Sequence, residues 1–370
     1  MGVTIESITA VPVRAPRTKP MISAGGFAPL RVSDFGIVRI RTSDGIDGLG
    51  EISMNNGRDG AIQCGDVNRL LGPALVGQDP LDVRRHIVTM DRTMDGSEPA
   101  KAGVEMALWD IAGKVRGLPV YRLLGGKVHE QVFIRWGLAF GDPAAGVQEI
   151  APWIARGVRT IKIKIGRPGT GLDEQMVRAV REGAGDAINI MVDANSGYRT
   201  PLQAVQEIER LEPYGLQLVE QPIHRKRLAD LAFIRSHIST PILADESMRH
   251  WPDAYDVART GAADALGIYV CEAGGILAAL NAAAIGEAAG LVVTIGSQCE
   301  LGIGTAAMAH AAVCMPNLAF ESDITGHLRY PIDIINEQLD YENGAIRPPE
   351  RPGLGVTLNE EVLERWRLDR

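Results

Sequence analysis

Residues 160–166 read TIKIKIG, a stretch in which polar and apolar residues alternate. Alternation with a period of two is typical of a β-strand and places Lys162 and Lys164 on the same face. Two ammonium groups between isoleucines would be costly in a packed apolar core. We therefore expect them to face a polar cavity, and the rest of the chain indicates which kind.

Eight short runs of apolar and β-branched residues recur after about residue 128, with helical patterns between them. Successive runs end 28, 29, 27, 25, 24, 26 and 26 residues apart. Strands and helices that alternate at such a steady period predict an α/β fold of the (β/α)₈ TIM-barrel type. An open doubly wound sheet is the alternative, but eight nearly equal units favour closure. The runs end at Trp136, Lys164, Asp193, Glu220, Asp245, Tyr269, Ile295 and Glu321.

The segments that flank the predicted barrel have a different character. Residues 3–52 alternate in runs around Asp44-Gly45, which predicts an antiparallel meander. Residues 59–127 carry apolar residues at helical spacing, and the chain from 328 onward is polar and rich in proline. The sequence thus predicts an α+β capping domain at 1–127, a catalytic barrel at 128–327 and a segment at 328–370 that returns to the capping domain.

Composition excludes several classes of function. Of the 370 residues 45% are apolar and 23% are charged, and the net charge is −8. A negative chain without a basic stripe is not expected to bind nucleic acid or an anionic membrane. The N-terminal residues do not resemble a signal peptide, and apolar runs are too short to span a bilayer. Four scattered cysteines indicate free thiols, so we expect a cytoplasmic protein.

Three acidic residues stand at the ends of three successive predicted strands: Asp193, Glu220 and Asp245. Catalytic groups of such barrels lie at the carboxyl ends of the strands, so these carboxylates are expected to converge. Converging anions repel one another unless a cation lies among them, and an oxygen-only ligand set suits Mg²⁺. The alternative is that each acid only caps the helix that follows its strand.

The two lysines of the neighbouring strand are expected to face the same cavity. Lys162 should lower the pKa of Lys164 towards neutrality, which would make Lys164 a general base, while Lys162 holds a substrate carboxylate. Ion pairs with the acids are the alternative. A metal bound to a carboxylate stabilises an enediolate, so these parts predict proton abstraction from the carbon next to a carboxylate.

Six motifs together are typical of one enzyme family: AGVEMALWDIAGKVRGLPVYRLLGG, TIKIKIG, VDAN, VEQP, LADES and AGGI. Through them the chain resembles the enolase superfamily, specifically its muconate lactonizing enzyme subgroup. The resemblance implies that Asp193, Glu220 and Asp245 bind Mg²⁺ and that Lys164 is the acid–base group, assisted by Lys162. It also implies that the N-terminal domain caps the barrel mouth, with loops near 20–27, including Phe27, and 53–59 over the substrate. Asn195 and Gln221 match supporting positions.

The end of the sixth strand departs from that subgroup. In ADALGIYVCEAGGI, Tyr269 occupies the position where the subgroup usually carries a second lysine, and the seventh strand, VVTIGS, lacks the histidine of mandelate racemase. Racemisation needs a base on one face and an acid on the other, and a tyrosine is a poor base. One good base favours β-elimination of water, with Tyr269 or Lys164 itself protonating the departing hydroxide.

The eighth predicted strand indicates which class of substrate the enzyme binds. Glu321 and Asp323 have the spacing of one strand face, and in related amino-acid epimerases acids here hold the substrate's ammonium. Together with the missing lysine, this resembles the cis-3-hydroxy-L-proline dehydratase branch, so we expect a small carboxylate substrate that bears an amine. The alternative for these two acids is a salt bridge to a barrel arginine. Trp136 is expected to form an apolar wall of the pocket, and Glu300 is a further candidate for its lining.

Other readings stay open at this point. One is an epimerase or cycloisomerase in which Tyr269 or Cys271 replaces the lysine. Another is a phosphate-binding barrel that uses the glycines of IGSQCELGIG, and a third is a barrel without catalysis. Both of the latter leave the acids and lysines without a role. We expect a homo-oligomer.

Overall fold

The N-terminal unit is an antiparallel sheet covered by helices. The computed structural model describes residues 3–21, 30–53 and 59–369. Strand β1 (Ile5–Met21) pairs antiparallel with β2 (Leu30–Thr42), which pairs with β3 (Asp47–Ile52) across the predicted turn. The helical segments are α1 (Cys64–Asp66), a π-helical turn (Val67–Leu71), α2 (Gly72–Leu75), α3 (Val83–Thr93), α4 (Glu98–Arg116) and α5 (Val120–Leu123).

Glycines allow α4 to lie directly on β3. A Cβ atom at Gly50 would lie 1.8 Å from the carbonyl oxygen of Gly103, and one at Gly48 would lie 2.2 Å from that of Ala107. Only glycine permits this approach of backbone to backbone. The resulting core of the unit includes Val38, Ile52 and residues of α4, and it is separate from the core of the barrel.

Parallel strands in sequence order form the second unit. Each neighbours the next along the chain, and helices connect them. The strands are β5 (Arg135–Leu138), β6 (Thr160–Lys164), β7 (Asn189–Asp193), β8 (Leu216–Glu220), β9 (Ile242–Ala244), β10 (Ala265–Ile268) and β11 (Val292–Ile295), and the helices are α6 (Pro143–Ala155), α7 (Leu172–Ala184), α8 (Pro201–Leu211), a 3₁₀ turn (Glu212–Tyr214), α9 (Leu228–Arg235), α10 (Trp251–Thr260), α11 (Val270–Ala273), α12 (Ile276–Ala288) and α13 (Gly302–Ala312).

The eighth predicted strand closes the barrel through a few hydrogen bonds. The amide of Ala319 donates to the carbonyl of Val293 on β11 (3.1 Å), and the amide of Arg135 on β5 donates to the carbonyl of Ser322 (3.0 Å). Single parallel bridges join the same neighbours. The segment around 318–322 therefore completes the (β/α)₈ barrel, as the period of the sequence predicted.

The first predicted strand, FIRW, is placed wrongly by two residues. Residues Val132–Phe133 form β4, which pairs with β13 (Ala345–Ile346) of the C-terminal segment, while the barrel strand β5 runs on to Leu138. The chain changes partners at Ile134, whose amide donates to the carbonyl of Gly344 (2.9 Å). A run of apolar residues cannot reveal such a change, because it is compatible with a strand of either sheet.

The C-terminal segment contacts both units. Arg367 forms an antiparallel bridge with Val13 of the capping unit, and the carbonyl oxygen of Leu354 lies 3.2 Å from His310 Nε2 on α13 of the barrel. The domain boundaries at 127 and 327 stay a prediction. Among the described residues, no helix combines the length and apolarity required to cross a bilayer. The segment comprises a 3₁₀ turn (Gly326–Arg329), β12 (Tyr341–Glu342), β13 (Ala345–Ile346) and α14 (Glu360–Trp366).

Candidate active site

Four adjacent strands bring the predicted acids and lysines together. Lys164 pairs in register with Asp193, and Asp193 with Glu220, so these residues lie side by side at the carboxyl ends of β6, β7 and β8. Asp245 follows β9 directly. All three acids are buried, with side chains no more than a few per cent exposed. The barrel thus creates one compact group of charges far from bulk water.

Both lysines point into this group. Lys164 Nζ lies 2.5 Å from Asp193 Oδ2, and Lys162 Nζ lies 3.1 Å from Glu220 Oε1 and 3.4 Å from Asp193 Oδ2. Lys162 also contacts Asp323 Oδ2 at 2.8 Å. The lysines therefore face inward as expected, and the ion pairs that the sequence left open as an alternative are present as well.

The carboxylates carry more negative charge than their surroundings balance. Burial and the charge of Asp193 raise the pKa of Glu220 well above its usual range, and burial with the charge of Glu246 does the same for Asp245. Burial would also raise the pKa of Asp193, but Lys164 and Lys162 hold it well below its usual value. Two of three neighbouring acids thus favour a cation beside them.

The donor set fits a hard divalent ion by its chemistry. Three carboxylates offer only oxygen, the ligand that Mg²⁺ prefers. Within residues 3–21, 30–53 and 59–369, no group of three or more His, Cys, Asp or Glu side chains converges closely enough to hold a metal as it stands. Asp193 and Glu220 are turned to the lysines instead, so metal binding requires these side chains to rearrange.

The expected low pKa of Lys164 is not found in this arrangement. Burial and the charge of Lys162 do lower the pKa, as the sequence suggested, but the carboxylates of Asp193 and Glu220 outweigh them and leave it raised. The prediction was wrong because it counted only the neighbouring lysine on the same strand. The carboxylate of the next strand is closer, and it favours the ammonium form.

Tyr269 points towards the acids rather than lining the cavity as a second base. Its hydroxyl donates to Asp245, and burial with the charges of Asp245 and Glu220 raises its pKa well above the ordinary value. Cys271 is equally protonated, because burial and the adjacent Glu300, 3.3 Å from its Sγ, raise the pKa of the thiol. Both side chains are therefore neutral donors.

Asn195 connects Lys164 to an acid that the sequence analysis missed. Its Oδ1 accepts a hydrogen bond from Lys164 Nζ (2.6 Å), and its Nδ2 donates to Glu246 Oε1 (3.1 Å). Burial raises the pKa of Glu246 to about 7. Glu246 directly follows Asp245 in LADES. The sequence analysis considered only the residue at the end of each predicted strand, so it did not include Glu246.

A cavity of about 290 Å³ opens beside Lys164. Lys162, Lys164, Trp136 and Asp323 all line it. A depression of about 510 Å³ on the capping unit, beside Trp109, contains none of the predicted site residues. The cavity at the lysines is therefore the candidate substrate site.

The two predicted ammonium ligands do not share this cavity. Asp323 faces it but already pairs with Lys162 and with Arg135, whose Nη2 lies 2.7 Å from Asp323 Oδ2. Glu321 lies elsewhere and accepts a hydrogen bond from Gln217 (3.4 Å). The salt bridge to a barrel arginine, left open by the sequence, is thus present for Asp323. Phe27 lies outside the described residues.

Arg135 is a buried charge that sequence reasoning overlooked. Its Nη1 donates to Thr294 Oγ1 (2.9 Å) and to the carbonyl of Glu321 (2.5 Å). The signal was an arginine within the apolar run FIRW, in a position that faces the barrel interior. Its guanidinium ties β5 to β11 and to the closing segment, and it fixes the orientation of Asp323.

This fold and this site define a (β/α)₈ barrel enzyme whose buried carboxylates and lysines meet at the strand ends. Residues 7–125 match the family model of the mandelate racemase / muconate lactonizing enzyme N-terminal domain, and residues 146–362 match that of the enolase C-terminal domain-like family. The chain therefore belongs to the mandelate racemase / muconate lactonizing enzyme family of the enolase superfamily. Membership in this family generally implies a divalent metal.

Known relatives cover nearly the whole chain. It is 34% identical to muconate cycloisomerase 1 of Pseudomonas putida over 89% of both chains. It is 31% identical to the N-succinyl-L-Arg/Lys racemase of Bacillus cereus over 97% of both. The crystal structure of muconate lactonizing enzyme from Pseudomonas fluorescens in complex with muconolactone superposes with a TM-score of 0.95, at 33% identity and full coverage of both chains.

Proposed function

We propose that this enzyme transfers a proton at the carbon next to a substrate carboxylate, with Lys164 as the acid–base group. The observation that carries the proposal is the position of Lys164, whose Nζ contacts Asp193 at 2.5 Å while the side chain lines the cavity. A proton donor or acceptor at that point can reach both the buried acids and a bound molecule. Asn195, which accepts a hydrogen bond from the same Nζ, limits its orientation.

Asp193, Glu220 and Asp245 would hold Mg²⁺, which is the ion that their oxygen-only set suits. When bound, the ion supplies positive charge that stabilises the enediolate formed on proton loss. If Asp193 binds the ion instead of contacting Lys164, the main cause that raises the pKa of Lys164 is lost. Lys162, which contacts Glu220 and Asp323, remains cationic and holds the substrate carboxylate from the other side.

The chemistry uses one base on one face of the substrate. Tyr269 and Cys271 both have a raised pKa and cannot accept a proton near neutral pH. Two reaction types need only one such group. In a cycloisomerisation, a carboxylate oxygen of the substrate adds to a double bond and the Lys164 ammonium protonates the α-carbon. In a β-elimination, the neutral amine of Lys164 removes the α-proton and the C–O bond at the β-carbon breaks.

Of these reaction types we favour cycloisomerisation. The supporting observations are that neither Tyr269 nor Cys271 can act as a second base and that the chain is similar to muconate cycloisomerase 1, at 34% identity. Muconate has two carboxylates, of which one attacks and the other carries the α-carbon that is protonated. Amino-acid racemisation or epimerisation, suggested by the similarity to the N-succinyl-L-Arg/Lys racemase, requires a second base.

Dehydration of a hydroxy amino acid such as cis-3-hydroxy-L-proline is the second candidate. It is favoured by the neutral hydroxyl of Tyr269, which could protonate the departing hydroxide. The expected ammonium ligand Asp323 already has two cationic partners, Lys162 and Arg135, which weakens its attraction for a third cation. We further infer a cytoplasmic location from the four free cysteines, and a homo-oligomeric state stays a prediction.

Solvent deuterium distinguishes these reactions. The protein with Mg²⁺ in D₂O is incubated with muconate and muconolactone, with cis-3-hydroxy-L-proline, and with N-succinyl amino acids. Cycloisomerisation incorporates one deuteron at the α-carbon of one lactone epimer, dehydration releases a keto or imine product, and racemisation labels both configurations. Lys164→Ala should abolish incorporation and the exposed Lys226→Ala should not. Incorporation that survives in Lys164→Ala would refute the proposal.

A further inference from the structure

The outer part of the cavity contains an arginine that no acid neutralises. Arg329, at the end of the 3₁₀ turn that follows the closing segment, lines the cavity together with Lys164. Among the described residues, no Asp or Glu oxygen lies within 4.0 Å of a nitrogen of this guanidinium. The remaining residues of the sequence contain no Asp or Glu. A half-buried guanidinium without a counterion is costly unless a ligand supplies one.

A pair of stacked indoles holds this guanidinium in place. Its Cζ lies 3.6 Å from the ring centroid of Trp136, which in turn stacks on Trp153 with centroids 3.6 Å apart. A Cβ at Gly137 would come within 3.7 Å of Arg329 Nη2, so the group lies over the exposed backbone of β5. Stacking fixes the plane of a guanidinium but leaves its N–H donors free.

A second arginine from the capping unit faces the same cavity. Arg17 of β1 donates to Ser33 Oγ (2.8 Å) and to the Tyr330 hydroxyl (3.3 Å), both neutral, and its Nε is buried without a partner. Burial is the main cause that lowers the pKa of Arg329, and the positive charge of Arg17 acts in the same direction, while the charges of Asp323 and Glu149 act against it. Two cations that face one cavity favour an anion between or beside them.

The acids of the cavity already have other cationic partners. Lys19 is paired with Glu149 at 3.2 Å, and Asp323 is paired with Lys162 and Arg135. The inner end of the cavity already has Lys162 for the carboxylate next to the reacting carbon. A second anionic group at the outer end would therefore meet two arginines that have no acidic ion-pair partner among the described residues.

We propose that Arg329, with Arg17 beside it, forms an anion subsite that binds a second carboxylate of the substrate. The inference rests on the proposed function, because it takes the first carboxylate to lie at Lys162. It adds to that function the residues that bind the carboxylate remote from Lys162 in a dicarboxylic substrate such as muconate. A planar guanidinium that presents two parallel N–H groups suits bidentate binding of a carboxylate. Arg329 is here a specificity-determining residue and takes no part in proton transfer.

Equilibrium binding tests the subsite without turnover. The Mg²⁺-loaded protein is titrated calorimetrically with the straight-chain diacids from succinate to pimelate, each against its monoamide, which has the same shape but one charge fewer. A hydrogen bond to a charged partner contributes about 1.5–3 kcal/mol, so the best diacid should bind about 10- to 100-fold tighter than its monoamide. Arg329→Gln should reduce this ratio to about threefold or less.

Two further variants control the comparison. Arg329→Lys keeps the charge without the planar fork and should retain part of the preference. Arg351→Gln removes an exposed arginine that pairs with Glu337 and should leave the preference unchanged. The inference is overturned if the wild-type protein binds no diacid better than its monoamide, or binds none at millimolar concentration. It is also overturned if the preference survives in Arg329→Gln.

The same ligands separate this inference from the proposed reaction. Deuterium incorporation that depends on Lys164, in a protein without any diacid preference, would leave the reaction standing and remove the subsite. A diacid preference lost in Arg329→Gln, in a protein whose Lys164→Ala variant exchanges deuterium as well as the wild type, would leave the subsite standing and remove the reaction.

Discussion

Neutralising Asp323 should destabilise the barrel strongly, whereas neutralising Glu321 two residues earlier should not. Asp323 Oδ2 lies 2.7 Å from Arg135 Nη2 and 2.8 Å from Lys162 Nζ, and the side chains of these cations are only 1% and 8% exposed. Asp323→Asn leaves both charges buried with one partner fewer. Lys162 keeps Glu220, but Arg135 keeps only neutral acceptors, Thr294 and a carbonyl.

The size of the effect follows from the burial of Arg135. Breaking a buried ion pair by removing one partner costs about 3–5 kcal/mol, and we take about 3 because Asn still accepts a hydrogen bond. With an unfolding entropy of about 2.1 cal/mol/K per residue, a chain of this size loses about 4 °C of Tm for that change. Glu321→Gln removes a carboxylate with one long hydrogen bond to Gln217, so less than about 0.5 kcal/mol is expected.

Thermal and urea unfolding of both variants, followed by circular dichroism and tryptophan fluorescence, measures the difference. Arg135 and Lys162 lower the pKa of Asp323 against the effect of burial, so its contribution to stability is present above the unfolded pKa of about 4. The gap between wild type and Asp323→Asn should therefore shrink as the pH falls below about 4. Equal Tm losses for the two variants at pH 7 would refute this account of Arg135 and of the closing segment.

Three further predictions concern the hydroxyl of Tyr269, the contact of two backbones, and a buried histidine. Tyr269→Phe should lower kcat by less than about tenfold, because the substitution removes a neutral hydrogen-bond donor to Asp245 and not a base. A loss of about 10³ in kcat in steady-state assays would contradict the role of Tyr269 as a neutral donor. Gly50→Ala should lower the unfolding free energy in urea by about 1–3 kcal/mol, since its Cβ would lie 1.8 Å from a backbone oxygen, whereas Gly141→Ala, with nothing within 4 Å, should change it little. Burial lowers the pKa of His310 to about 4, so the stability that its neutral form provides is complete above about 6.5 and is lost as the pH falls towards 4, by about 1.4 kcal/mol per pH unit. A His310→Gln variant should lack this pH dependence in urea titrations at stepped pH, and parallel curves for the two proteins would exclude it.

The strand-end pattern made the barrel and its acids predictable, because each acid follows an apolar run at a nearly constant interval. Lys162 and Lys164 were predictable for the same reason, since period-two alternation assigns a face to every residue of a regular strand. The pKa of Lys164 was not predictable, because it depends on Asp193 of the next strand at 2.5 Å, a distance that no spacing along the chain encodes.

Alternation also failed where the strand was irregular. The closing segment makes single bridges to its neighbours rather than a continuous ladder, so the two-residue spacing of Glu321 and Asp323 did not place them in one site. Arg329 was invisible to pattern reasoning for a different reason. It lies in a 3₁₀ turn beyond the last strand, and its role depends on its stacking against Trp136, which is nearly two hundred residues earlier in the chain.

The relative positions of the three acids depend on strained backbone that cannot be recognised from the sequence. Asn195 and Gln221, which follow β7 and β8, have φ values of 40° and 35°, where residues other than glycine are uncommon. Gln221 is held there by four hydrogen bonds, since its Oε1 accepts from the amides of Asp245 and Ser247 and its Nε2 donates to Ile223 and Ser247. The side chain of the residue after one acid thus fixes the backbone of the next acid. Because such strain costs of order 1–3 kcal/mol per residue and persists only where other contacts impose it, its recurrence after two adjacent strands indicates that the spacing of Asp193, Glu220 and Asp245 is what the surrounding hydrogen bonds maintain.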